Sequence, residues 1–224
     1  MFQPEEKDAE PIGSILDSLD IQPPVKPQGK PEQPLQPESS PKGLSLWKAS
    51  GVTERHGAFK PEMSGNEKWT AAWYCLKRQI GHGVIAIILG GRGAGKTQMS
   101  ACAIRESCKA GKSALYTKAL SFFLDVRKTY SSSRDKSEKE IIQNYVYPNL
   151  LVIDAIENRS DSAFENLLLN YLIDLRYDSM KDTIIIGNLT EQEFAASMGV
   201  SIVDRIHECG IKIICDWPSF RRKI

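Results

Sequence analysis

The sequence lacks long apolar runs, paired cysteines and, beyond residue 41, nearly all proline. The longest purely apolar run is Val84–Leu89. A transmembrane helix needs roughly 20 such residues, so no membrane span is expected. Five cysteines, Cys75, Cys102, Cys108, Cys209 and Cys215, are odd in number and form no C-x-x-C pair. That excludes a disulfide framework or zinc site as the expected reading and favours reduced thiols. The three histidines are far apart and form no metal-ligand spacing. The N-terminus is acidic and has no apolar stretch of the secretory kind. A cytoplasmic protein, bacterial or from a phage-infected cell, is the expectation. No internal repeat is present.

Proline is scarce only in the body of the chain. Nine of twelve prolines fall at or before residue 41, leaving Pro61, Pro148 and Pro218. Charge divides at the same place. Residues 1–41 carry eight acids and three bases, and the remainder 20 acids and 26 bases, so the net +1 of the 224 residues joins an acidic tail to a basic body. Proline removes backbone donors and keeps its predecessor out of the helix region. A Pro-, Gln- and Glu-rich segment cannot bury a core. Residues 1–43 are therefore expected to form a disordered, extended arm, and 44–224 a folded unit. Within the arm, Ile12, Ile15, Leu16 and Leu19 recur at helical spacing in 11–21 and make one apolar face. Such a short helix is marginal alone. It is expected either to fold into a partner's groove or to dock on its own body.

From Trp69 onward helical and strand-like segments alternate. Trp69–Ile80 has helical spacing, and Gly81-His82-Gly83 breaks it. Strands are expected at 84–89, 113–117, 150–154, 183–187 and 211–215. Helices are expected at 96–110, 120–130, 163–177, 191–198 and 200–207, with a polar loop at 131–136 and a short helix after it. Five apolar strands alternating with helices predict an α/β domain whose parallel sheet is covered on both faces.

The strongest motif is Gly90-Gly91-Arg92-Gly93-Ala94-Gly95-Lys96-Thr97, a full match to G-x-x-x-x-G-K-[ST] between a strand and a helix. Gly90, Gly91, Gly93, Ala94 and Gly95 let backbone N–H groups close around phosphate oxygens. The first helical turn, through Gln98, adds unpaired N–H groups and the positive end of the helix dipole. Lys96 is placed to neutralise the β- and γ-phosphates of ATP, and the Thr97 hydroxyl to hold Mg²⁺. Leu150-Leu151-Val152-Ile153-Asp154 ends an apolar strand on a carboxylate. Asp154 is thus the second metal-side candidate.

These motifs, with LLVIDAIE at 150–157, FENLLLNYLIDLRY at 164–177, TIIIGNL at 183–189, SIVDRI at 201–206 and DWPSFR at 216–221, resemble the DnaC/IstB family of AAA+ ATPases. The lead-in SGVTERHGAF at 50–59 is similar too. The resemblance spans about 50–222 and omits the arm, and DWPSFR favours the helicase-loader branch. It implies a minimal AAA+ core with little or no helical lid, binding ATP and Mg²⁺, single-stranded DNA and a DnaB-type replicative helicase. It places Asn188 where the family has its sensor I residue. Arg205 falls at the arginine finger, which would act on a neighbouring subunit's ATP and so implies homo-oligomers. Arg127, Lys128 and Tyr130, with Ser162 and Phe164, resemble the DNA-contacting segments. Basic residues suit phosphates and aromatic faces suit bases.

Two departures stand out. The family follows the Walker B Asp with Glu, whereas this chain has Ala155. Slow hydrolysis with firm ATP binding is the expectation. One alternative has Glu157 substitute, against which its displacement of two residues beyond the strand end argues. Otherwise the protein is an ATP-binding switch, or Ala155 is an engineered replacement. Second, seven residues follow Trp217, which leaves Arg221 to stand for a lid-borne sensor II arginine. The competing functions are a transposition accessory ATPase that binds duplex DNA and a non-hydrolysing module that binds helicase.

Overall fold

A computed structural model describes residues 41–130 and 137–221. Residues 1–40 of the arm, with Ile12, Ile15, Leu16 and Leu19, and the polar stretch 131–136 lie outside the described residues, whereas 41–43, expected in the arm, are helical. Five strands form one sheet: β1 (Ile85–Gly90), β2 (Ala114–Lys118), β3 (Leu150–Asp154), β4 (Asp182–Gly187) and β5 (Gly210–Cys215). Their order is β2-β3-β4-β1-β5 and every pairing is parallel. All five expected strands are present, each within a residue or so of its predicted bounds.

The strands are apolar on both faces because helices cover both. Alternate residues of one strand enter different cores, as the two-residue side-chain period requires. Ile85, Ile87, Leu89, Leu151, Ile153 and Ile185 face the first. There they meet α5 (Ala119–Lys128), α6 (Glu138–Val146), α7 (Ala163–Asp178) and α8 (Glu191–Cys209). Ala86, Ile88, Leu150, Val152, Ile184, Ile186 and Ile213 face the second, against α3 (Glu67–Gln79) and α4 (Lys96–Lys109). Each fully buried Ile or Leu contributes about 1.5–3 kcal/mol of transfer free energy. The pattern therefore fixes which face each helix must cover.

Local signals set the helix ends. The Asn66 side chain accepts from Trp69 N at 2.9 Å and starts α3. Ser137 with Glu140, and Thr190 with Glu193, make reciprocal capping boxes at α6 and α8. Gly199, at φ 76° and ψ 164°, interrupts α8, so the two helices expected at 191–198 and 200–207 meet across a kink.

Two helices and a short 3-10 turn at Pro61–Met63 were not expected from the sequence. Helix α1 (Pro41–Ala49) and helix α2 (Glu54–Gly57) precede the core. Ser50 O after α1 accepts from Tyr116 N at 2.7 Å, covering the edge strand β2. Arg105 on α4 donates to Phe59 O at 2.7 Å and to Gly57 O, and stacks on Trp47 at 5.3 Å. The lead-in is thereby pinned beside the start of the β1–α4 unit. Among the described residues no helix is long and apolar enough to cross a membrane.

Candidate nucleotide-binding site

In a parallel sheet the ligand crevice lies beyond the carboxyl ends of the strands, where chain order reverses. Here β1 leads to the far edge strand β2 and β5 lies on the other side of β1. The loop Gly90–Thr97 leaves β1 at that point. A cleft of about 830 Å³ opens there, lined among others by Gly93, Gly95, Lys96, Thr97, Asp154 and Asn188.

Five carbonyls of this loop are held by hydrogen bonds from other parts of the chain or from Lys96. Trp69 Nε1 donates to Gly95 O at 3.3 Å, Trp217 Nε1 to Ala94 O at 2.9 Å, and Phe220 N to Gly93 O at 3.0 Å. Lys96 Nζ donates to Gly90 O and Gly91 O, both at 2.7 Å. A loop whose carbonyls are engaged elsewhere can turn its N–H groups to phosphate oxygens. Gly93 and Gly95 carry positive φ of 85° and 81°. A Cβ on Gly93 would lie 2.0 Å from Ser219 Oγ, and one on Gly95 2.8 Å from Trp69 Nε1. Glycine is required at both positions by conformation and by space.

Lys96 is 6% exposed. Its third donor goes to Asn188 Oδ1 at 2.8 Å, so all its partners are neutral oxygens. Burial holds its pKa below the usual lysine value, and Cys215, Asp154 and Glu157 act in the opposite direction. A desolvated ammonium without a directly bonded carboxylate is suited to an anionic ligand. Thr97 Oγ1 donates to Asp154 Oδ2 at 2.9 Å. A hydroxyl and a carboxylate together at the first turn of α4 are hard oxygen donors of the kind Mg²⁺ prefers. Tyr116 OH on β2 also donates to Asp154 Oδ2, at 2.6 Å, and Ala155 N to Oδ1, at 2.7 Å. Burial and the Asp154 carboxylate push the Tyr116 phenol well above its ordinary range.

Asn188 joins two groups. Its Nδ2 donates to Glu157 Oε1, and its backbone N to Glu157 Oε2 at 3.1 Å. Contrary to the sequence expectation, Glu157 does reach the cleft. Ala155, at φ 56°, turns the chain sharply after β3 and brings residue 157 back against the end of β4.

The structure brings P-loop, Asp154 and Asn188 together, but not Arg205 with them. Arg205 lies on α8, where it pairs with Asp174 at 2.9 Å, donates to Ser201 O at 2.9 Å and stacks on Tyr177 at 5.4 Å. It is not part of the lining of its own chain's cleft. The residues expected to meet DNA converge at the end of α5 and the start of α7. Arg127 pairs with buried Glu165 at 2.8 Å, Lys128 with Asp125 at 2.9 Å, and Ser162 caps α7. The Tyr130 and Phe164 rings pack edge to face at 6.0 Å.

Several cleft residues escaped the sequence reading. Arg55, His56 and Phe59 from the lead-in, and Phe220, line one lip together with Arg221, the one residue there that the sequence singles out. Trp69, which also lines the cleft, and Trp217 hold the loop through Gly95 O and Ala94 O. The family-like blocks 50–59 and 216–221 were the only sequence signal for them, and it carried no position in space.

Residues 81–223 match the family of IstB-like ATP-binding proteins. The chain belongs to that family. Similar curated members are the replicative helicase loader DnaC of Buchnera aphidicola (subsp. Schizaphis graminum), 23% identical over 74% of this chain and 68% of that protein, and DnaC of Escherichia coli K12. The latter is 27% identical over 62% of this chain and 56% of its own length. The crystal structure of a DnaC helicase loader superposes with a TM-score of 0.59 at 17% identity, covering 76% of this chain and 98% of the other. Replication initiator DnaA bound to AMPPCP and single-stranded DNA gives 0.60 at 18%, over 74% and 51%. The five-stranded α/β core of this IstB-like ATP-binding protein thus shares its fold with those of DnaC and DnaA. Among the described residues, β5 is followed by the strap Asp216–Arg221 across the P-loop, with no lid helices.

Proposed function

We propose that this protein is a replicative helicase loader that binds ATP·Mg²⁺ and single-stranded DNA and captures a DnaB-type hexameric helicase. The observation that carries the reading is the convergence of Lys96, Thr97, Asp154 and Asn188 in one cleft, in a chain whose curated relatives are DnaC loaders. Bound at the cleft, Mg²⁺ would be held by Thr97 and Asp154 and would offset phosphate charge. Gly90 through Gln98 would bind the phosphates, with Lys96 adding charge and Asn188 reading the terminal phosphate.

Three further assignments belong to this reading. Arg205, on α8 against Asp174 and Tyr177 of α7, serves the ATP of a neighbouring copy, so the active species is an oligomer. Tyr130 and Phe164 supply base-stacking faces, with Arg127, Lys128 and Ser162 toward the strand's phosphates. The arm, through Ile12, Ile15, Leu16 and Leu19, holds the helicase.

The direct test is co-sedimentation of the full chain with a DnaB-type helicase, with and without ATP·Mg²⁺. Binding is expected, and removal of residues 1–41 is expected to weaken it while sparing ATP. No helicase capture by the full chain overturns the loader reading. Because the family also takes its name from IstB, DNA preference is the second arm of that test. Filament-like binding to duplex DNA without helicase capture would instead support a transposition accessory ATPase.

A further inference from the structure

We propose, on the strength of the ATP-binding reading above, that Glu157 supplies the water-orienting carboxylate that Ala155 cannot. The carboxylate has moved two positions along the chain, and the turn after β3 returns it to the reacting end of the cleft. Ala155 takes the left-handed conformation at φ 56°, which costs a residue with a Cβ about 1–2 kcal/mol. Ile156 N then donates to Ile186 O at 3.0 Å, and Asn158 N to Ala155 O at 2.9 Å. Those two bonds close the turn and tie it to β4. Gly187 leaves room for it, since a Cβ there would stand 2.9 Å from Ile156 Cγ2 and 3.6 Å from Glu157 Oε2.

The result is a continuous line of polar contacts, from the Lys96 ammonium to Asn188 Oδ1 and from Asn188 Nδ2 to Glu157 Oε1. Glu157 is therefore one side chain removed from the cation that would meet the terminal phosphate, and it lines the same cleft. Asn188 holds both of its oxygens. An ionised carboxylate has about four acceptor sites, so sites remain for a water. Among the described residues no lysine or arginine pairs with it to occupy them.

In the step this implies, the water oxygen bonds to the γ-phosphorus. The bond from that phosphorus to the bridging oxygen breaks, leaving its electron pair on ADP. The water's proton passes through the Glu157 carboxylate to the released phosphate.

The test compares the full-length chain with Glu157→Gln and with Glu157→Gln carrying Ala155→Glu. Steady-state hydrolysis with Mg²⁺ and single-stranded DNA is measured beside equilibrium binding of a fluorescent ATP analogue. Glutamine keeps one oxygen that accepts from Asn188 and loses the other, so a merely structural Glu157 would give up one hydrogen bond and a little stability but no turnover. The expected result is a kcat lower by about 10²–10⁴-fold, the usual worth of a positioned acid or base. Analogue affinity is expected to stay unchanged and the unfolding midpoint to fall only slightly, with intact ATP retained on the protein. Ala155→Glu is expected to restore turnover. Wild-type turnover in Glu157→Gln overturns the inference, and so does a wild-type chain that binds ATP and hydrolyses none. A wild-type chain that binds no ATP removes the nucleotide reading itself, and this inference with it.

Discussion

Two buried cations sit at opposite ends of the sheet, and their surroundings differ in one respect. Arg176 lies by the amino ends of β3 and β4 and is fully buried. Its nitrogens donate to Thr183 Oγ1 and to the carbonyls of Tyr145, Val146, Pro148 and Asp182. Burial pulls its pKa down to about 10. Lys96, at the carboxyl ends, is nearly as buried and is also bonded only to neutral oxygens. But its holders are a glycine loop and an amide on the wall of a cleft. Arg176 is enclosed by backbone that cannot leave. Lys96 is held where a phosphate can replace carbonyls as its partner. A buried charge that is satisfied on every side is a structural bolt, whereas one satisfied at the edge of a cavity is a ligand site.

Breaking the bolt should have the largest effect. Arg176→Leu leaves five oxygens without their donor, and removing one side of a buried charged network costs about 3–5 kcal/mol. Urea unfolding is expected to show that loss. A cost below about 1 kcal/mol would mean that Arg176 is dispensable and that the comparison fails. Lys96→Ala should have the opposite profile. Charged hydrogen bonds are worth about 1.5–3 kcal/mol, so ATP affinity is expected to fall roughly 10- to 100-fold by titration calorimetry. Its urea midpoint should move far less than that of Arg176→Leu, and an equal loss of stability would make Lys96 structural too.

The smallest effect concerns the lip of the cleft. His56 Nδ1 is buried and has no hydrogen-bond partner. Burial holds the His56 pKa below its ordinary 6.5, with Asp154 opposing and Arg55 adding to the fall. Between the folded and unfolded pKa values the unfolded chain binds more protons. Stability from His56 is therefore fully present above about pH 6.5 and is lost as pH falls through the folded value. Melting temperature is expected to drop more steeply from pH 7 to 5.5 in the wild type than in His56→Gln. Parallel curves would show that the lip contributes no proton linkage.

The strands and their order of appearance were legible because each is a short, mostly apolar run between helical segments, and β1, β3 and β4 are buried almost throughout. The P-loop and Asp154 were legible because their chemistry demands fixed residue types at fixed spacing. The arrival of Glu157 was not. Counting residues past Asp154 places it away from the cleft, and only the left-handed turn at Ala155 returns it. Helix α1 was missed because its worth lies in covering the edge of β2, a contact with residues far along the chain. Tyr116 was missed as a partner of Asp154 because strands β2 and β3 pair only after a long crossover.

By itself, then, the sequence determined the α/β class and the glycine-rich loop between β1 and α4, which rest on local period and spacing, and its blocks carried the resemblance to the DnaC/IstB family. Tertiary structure alone decided which carboxylate stands beside Asn188, which groups hold the loop's carbonyls, and that Arg205 faces away from its own cleft. Those are relations between strand ends and helices distant in the chain, and no local pattern encodes a distance that only packing sets.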